Sequence, residues 1–151
     1  MKYQCSIHIP LPMETVAGLF QDPLKLSKWQ EGFVALKPVE GELNENGSKI
    51  RLLYRLDGHV MDVMETVEEN SLPNSFTAVY KSKDMQKRIT SKFRTVDDET
   101  TRWDMDCELK FRGAKAIFSP FYRESVKRKA STEMARFKLF ALHARESALQ
   151  Y

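Results

Sequence analysis

Residues 2–9 alternate, with Tyr3, Cys5, Ile7 and Ile9 apolar against Lys2, Gln4, Ser6 and His8. A period of two predicts a strand with one buried face, and Pro10 and Pro12 stop it. Met13 to Phe20 shifts to helical spacing, with Val16, Leu19 and Phe20 on one side. Asp22 before Pro23 reads as an N-cap and a first helical position, opening a second short turn anchored by Leu24, Leu26 and Trp29. From Phe33 alternation returns, punctuated at Asn44-Glu45-Asn46-Gly47, Asp57-Gly58, Leu72-Pro73, Lys83-Asp84 and Asp97-Asp98-Glu99. Six strands are predicted, near 33–42, 48–57, 59–70, 75–82, 85–96 and 100–111. Their connections are too short for parallel crossovers, so neighbours run antiparallel. After Gly113 the period is helical again. Ser119-Pro120 supplies an N-cap and a first-turn proline, and Phe121, Val126, Ala130, Met134, Phe137, Ala141 and Ala144 follow at helical spacing without a glycine or proline between them.

Turn lengths give the facing of each strand, because directly opposed residues share a face. Across Asp57-Gly58, Leu56 meets His59, Tyr54 meets Met61, Leu52 meets Val63 and Ile50 meets Glu65. Ile50, Leu52, Tyr54 and Leu56 are apolar while Lys49, Arg51 and Arg55 are charged, so the first set and its partners point inward. An even turn at Leu72-Pro73 sets Tyr80 opposite Glu65 and Ala78 opposite Val67. A two-residue turn at Lys83-Asp84 sets Lys87 opposite Tyr80 and Ile89 opposite Ala78. The last hairpin pairs Phe93 with Trp103, Ser91 with Met105 and Ile89 with Cys107, leaving Arg102, Asp104, Asp106, Glu108 and Lys110 outside.

The segments Ile9-Pro10-Leu11-Pro12-Met13-Glu14-Thr15-Val16, Phe20-Gln21-Asp22-Pro23 with Trp29, Gly47-Ser48-Lys49 and Met64-Glu65-Thr66-Val67 carry a wider likeness, to which Thr100-Thr101-Arg102-Trp103 and Arg136-Phe137-Lys138 add. In this order of elements the whole chain resembles the helix-grip (START-like, polyketide cyclase and lipid-transport, or SRPBCC) superfamily, and most closely its bacterial polyketide cyclase-like group. The resemblance implies an α+β fold: a strongly curved antiparallel sheet of about seven strands wrapped around a long C-terminal helix. It also implies, most often, a small hydrophobic ligand held between sheet and helix. Activities on this scaffold diverge widely.

Length and composition set the outer bounds. The chain has 151 residues, 42% hydrophobic and 30% charged, which suits a single domain over 1–151 and excludes a disordered or fibrous chain. No apolar run approaches the roughly 18 residues of a membrane span, and the first residues lack the apolar stretch of a secretion signal. A soluble, cytoplasmic protein is expected. Cys5 and Cys107 are too few for a disulfide scaffold or a zinc cluster, and both fall on inward positions as small buried side chains. His8 falls outward and His59 sits at a turn. No phosphate loop, nucleophile elbow or metal-spaced pair is present, so no metal and no cofactor is expected. Basic residues gather after Phe121 (Arg123, Lys127, Arg128, Lys129, Arg136, Lys138 and Arg145), but without the aromatic and glycine signature of a nucleic-acid module they read as a solvated helix face.

The candidate chemistry is therefore inside. The inward positions Tyr54, Met61, Val63, Glu65, Ala78, Tyr80, Ile89, Ser91, Trp103 and Met105, with Phe121, Met134 and Phe137 from the helix, describe an apolar lining with a few placed polar groups. Met residues make such a lining adaptable. Glu65 is an interior carboxylate, with the Tyr80 hydroxyl and the Lys87 ammonium as partners in a row across neighbouring strands. Trp29 and Phe33, beside Gly32, either gate an entrance or anchor the short helices. Two functions follow. One is a carrier or sensor of a lipid, isoprenoid or aromatic molecule. The other is a cyclase- or dehydratase-type enzyme with Glu65 as acid–base group and Tyr54 or Tyr80 as donors. A protein-interaction module would need an exposed apolar patch, of which the charged outer strand faces give no sign.

Overall fold

The computed structural model describes residues 1–117 and 119–149. Seven strands, β1 (Lys2–Ile9), β2 (Phe33–Glu40), β3 (Lys49–Leu56), β4 (His59–Ser71), β5 (Ser75–Lys81), β6 (Met85–Asp97) and β7 (Thr100–Phe111), form one antiparallel sheet. Its order is β1-β7-β6-β5-β4-β3-β2, so β1 and β2 are the edges. Helices α1 (Met13–Gln21) and α2 (Leu26–Trp29) follow β1, α3 (Ala114–Ile117) follows β7, and α4 (Ser119–Leu149) closes the chain. The short α3 was not foreseen. The expected cap on α4, the Ser119 side chain, lies outside the described residues.

The sheet obeys the alternation of its sequence. In β1, Tyr3, Cys5 and Ile9 are buried while Lys2, Gln4, Ser6 and His8 are exposed. Asp57 and Gly58 both have positive φ, 51° and 77°, the geometry that joins twisted strands in two residues. Outside, ion pairs line the surface: Arg51 with Asp62, Arg88 with Glu68 at 2.7 Å and Arg102 with Asp104 at 2.9 Å. Asp22 caps the turn Pro23–Lys25 as expected, accepting from the Leu24 N–H at 3.0 Å.

All four expected registers are present, including Ile50 opposite Glu65, Glu65 opposite Tyr80, Tyr80 opposite Lys87 and Phe93 opposite Trp103. The β4–β5 register arises differently from the expectation. Ser71 pairs with Ser75, so the loop holds three residues, Leu72, Pro73 and Asn74, and is odd. A bulge between Val67 and Glu69 inserts one extra residue and restores the parity before Val67 meets Ala78. Two one-residue shifts cancel, and Glu65 stays inside.

Helix α4 packs on β1 and α2 through Val126, Ala130, Met134, Phe137 and Ala141. Phe121 does not join this stripe and is 81% exposed. It precedes Val126 by five residues, about 140° around a helix, whereas Tyr122 precedes it by four and packs on Phe111 with ring centroids 5.4 Å apart.

Candidate functional site

One end of the cup is filled with rings. Phe20 of α1 is their hub, with centroids 5.2 Å from Phe93, 5.6 Å from Trp103, 5.8 Å from Phe76 and 6.2 Å from both Trp29 and Phe137. Trp29 is buried within this cluster, so it anchors α2 and does not gate an entrance. The indole N–H groups of Trp29 and Trp103 are buried with no acceptor in reach among the described residues. Edge-to-face ring packing sets this end of the interior.

The buried apolar residues as a whole fall into three clusters: a main one that carries the rings Trp29, Phe93, Trp103 and Phe137 together with Met105 and Met134, a second of Ile50, Leu52 and Val63, and a third of Val67, Phe76 and Ala78. A main core with smaller satellite clusters is the usual pattern of a folded domain. Here the clusters are joined only through partly accessible side chains, Tyr80 among them. Tyr54 of β3, Glu65 of β4, Tyr80 of β5, Lys87 of β6 and Glu133 of α4 share this region, and each keeps part of its surface accessible.

Protein surrounds these groups closely enough to alter their chemistry. Burial raises the Glu65 carboxyl above its usual range, and hydrogen bonding from the Tyr80 phenol pulls it partly back. Burial, with the neighbouring Glu65 charge, pushes Tyr80 well above an ordinary phenol. Tyr54 is raised for the same reasons, burial first and then the charges of Glu133 and Glu65. Both phenols are therefore neutral donors, and Tyr54 gives its proton to Gln30 Oε1 at 2.8 Å. Burial also raises Glu133, while Lys87 and Arg136 lower it.

Lys87 was expected to reach Glu65 across Tyr80. Instead its ammonium stands 5.9 Å from the centre of the Tyr80 ring and its charge acts on Glu133. Strand pairing alone does not show α4 bringing a second carboxylate to the same space. Glu133 lies among the basic residues of the helix. Its signal was its spacing, three residues after Ala130 and four before Phe137, which puts it on the inward stripe.

No protein-family model and no curated protein sequence matches the chain. Solved structures match it over nearly its whole length. A conserved protein from Geobacillus kaustophilus superposes with a TM-score of 0.81 at 16% identity, over 95% of this chain and 97% of that one. A Streptomyces aromatase/cyclase gives 0.78 at 12% identity, over 93% of each chain. A START superfamily protein from Mycobacterium smegmatis gives 0.65 at 9% identity, over 86% of this chain and 94% of that one. The fold is the helix grip.

Within the helix grip, the candidate residues divide into three groups. Tyr54, Met61 and Tyr80 are half-buried against the cluster of Ile50, Leu52 and Val63, with Glu65 half-buried opposite Ile50, while Ile89 is half-buried against the main cluster. Val63, Ala78, Ser91, Trp103, Met105, Met134 and Phe137 are buried in packed clusters or directly beneath them. Phe121 faces solvent, away from the grip. Phe33 stands at the rim, its ring 6.0 Å from that of Tyr54.

Two clefts open elsewhere on the grip. One, of about 800 Å³, runs along β1 and the start of α4 and is lined in part by Lys2, Arg88, Lys92, Arg123 and Lys127. The other, of about 300 Å³, lies between α1 and the end of α4 beside Leu19, Ala144 and Ala148. Neither includes a residue of the inward polar row. Ion pairs of Lys2 with Glu108 at 3.9 Å and Lys92 with Asp106 at 3.8 Å already match charges in the larger one. Among the described residues no group of three or more His, Cys, Asp or Glu side chains is placed to hold a metal ion, and no helix is long and apolar enough to cross a membrane.

Proposed function

We propose that the chain, as one helix-grip unit over 1–151, binds a small hydrophobic molecule at the open end of its cup and acts as a carrier or sensor in the cytoplasm. The observation that carries this is the inward polar row: Tyr54, Glu65 and Tyr80 face the interior beside the apolar cluster of Ile50, Leu52 and Val63, and they keep accessible surface. An apolar wall with a few fixed polar groups suits an amphiphile of the lipid, isoprenoid or aromatic kind. The shared fold with a START superfamily protein and an aromatase/cyclase supports the reading by analogy only.

The test is binding of naphthylethanol by calorimetry, to the parent chain and to a Met61→Trp variant, which adds bulk beside Tyr54. Binding to the parent and at least a tenfold loss (about 1.4 kcal/mol) in the filled variant are expected. Equal binding by both proteins places the ligand elsewhere and refutes the proposal.

A second reading, catalysis of cyclisation or dehydration, is favoured by one observation: the Glu65 carboxyl is raised and lies beside a phenol. On an authentic substrate, Glu65→Gln would abolish turnover and leave the affinity for a neutral ligand within about tenfold. Surviving turnover eliminates this reading.

A further inference from the structure

The two edges of the sheet are built differently. β2 breaks register between Phe33 and Ala35 and again between Pro38 and Glu40, and Pro38 has no main-chain donor, so that edge presents no continuous ladder. β1 pairs with β7 without a shift from Lys2 to Ile9. Met1 and Leu109 exchange both main-chain hydrogen bonds, at 2.8 and 3.1 Å. By alternation Tyr3, Cys5 and Ile7 then bond to β7, while the N–H and C=O groups of Lys2, Gln4, Ser6 and His8 point to the open edge. Arg123 Nε donates to the Lys2 carbonyl there at 3.3 Å. The edge groups of Gln4 and Ser6 have no main-chain partner among the described residues. The cleft of about 800 Å³ lies along this edge, lined by Lys2, Gln4 and Ser6 and by Arg123 and Lys127 of α4. Its carboxylates, Asp106 and Glu108, are matched by Lys92 and Lys2, and Arg88 is held by Glu68. Arg123 and Lys127, about one helical turn apart, have no carboxylate within ion-pair distance among the described residues.

We propose that the β1 edge takes an extended acidic peptide, which adds to the sheet as an eighth strand and sets its carboxylates against Arg123 and Lys127. The outward donors and acceptors of Gln4 and Ser6 repeat about 6.8 Å apart along the strand, a spacing that another extended backbone meets on both counts. A free phosphate offers mainly acceptors and leaves the edge carbonyls unmet. A second copy of β1 would supply the backbone, but that strand carries no carboxylate, so Arg123 and Lys127 would stay unmatched. An acidic strand satisfies the main chain and the two cations together, and the positive cleft draws it toward the edge.

The experiment titrates the full chain, at neutral pH and low salt, with an acetylated and amidated pentapeptide alternating glutamate and threonine, followed by the amide NMR signals of β1. Saturable binding is expected, with exchange of the Gln4 and Ser6 amides slowed at least about tenfold in the complex. Two control peptides separate charge from backbone. One has lysine in place of glutamate; the other is N-methylated throughout, which keeps the carboxylates and removes the donors. Both should bind at least about tenfold more weakly. Gln4→Pro removes an edge donor that lies outside the β1–β7 ladder, and the double variant Arg123→Glu, Lys127→Glu reverses the charge beside an unaltered strand. Each should lose about tenfold or more in affinity, and the charge variant carries the test if the proline variant does not fold. Absence of saturable binding, equal binding of the N-methylated peptide, or full affinity in the charge variant overturns the proposal. So does protection of Gln4 and Ser6 that grows with protein concentration without peptide, the mark of pairing between copies of the chain.

Discussion

Glu65 and Tyr80 stand directly opposite each other on β4 and β5, and the Tyr80 phenol is what draws the buried carboxyl back toward its ordinary value of 4.5. The pair has a thermodynamic consequence. A carboxyl raised by folding holds its proton more tightly in the native state, so ionising it disfavours that state. Its effect on stability is most favourable below the unfolded value, declines as pH rises from there through the higher folded value, and is level above. Glu133, raised in the same direction by burial, adds to this decline. Urea denaturation as a function of pH should show the fall. Glu65→Gln should flatten part of it and be the more stable protein at neutral pH, and a less stable variant there would contradict the assignment.

Phe20 predicts the largest single loss. It touches five other rings from an element outside the sheet, so its removal leaves a void bounded by rigid neighbours. Phe20→Ala should cost about 3–5 kcal/mol, read from the urea midpoint at unchanged slope. A cost below about 1 kcal/mol would mean that the ring cluster does not organise this end of the cup.

Much of this architecture was legible in the sequence. Alternation and turn chemistry identified the seven strands, and the opposed pairs from Leu56–His59 to Phe93–Trp103 stand where pairing rules put them. The Glu65–Tyr80 pair was reached through an assumed even turn, whereas an odd loop and a bulge cancel. Such compensation has no local signal, because a bulge is a property of two strands. Contacts made by α4 were harder still. Phe121 was placed inward by counting apolar residues, although only Tyr122 has the phase to face the sheet. Glu133 and the role of Phe20 depend on how helices dock, which spacing within one segment leaves open.

Gly32 joins α2 to β2 with φ of 74°, and its carbonyl accepts the Arg55 N–H at 2.7 Å. A Cβ there would lie 2.5 Å from the Arg55 carbonyl oxygen and 2.7 Å from Leu56 Cδ2. Gly32→Ala should therefore cost at least about 1–3 kcal/mol in stability. Because Phe33 is the next residue and packs on Tyr54, the same change should weaken naphthylethanol binding. Wild-type stability in this variant would show that the close approach is absent in solution.

The Tyr54 hydroxyl fixes the rim through Gln30, so Tyr54→Phe should lose about 0.5–1.5 kcal/mol in a urea melt. The ring remains in place. Because the phenol proton is already given to Gln30, naphthylethanol affinity should stay within about twofold. A loss of about tenfold or more would show that the hydroxyl serves the ligand and not Gln30.

The most direct measurement is a methyl NMR titration of the full chain with naphthylethanol, following Met61 at the open end and Ala144 and Ala148 in the cleft beside α1. A saturable shift concentrated at Met61 is predicted. Shifts confined to Ala144 and Ala148, or no saturable change at Met61, would contradict a ligand site inside the cup.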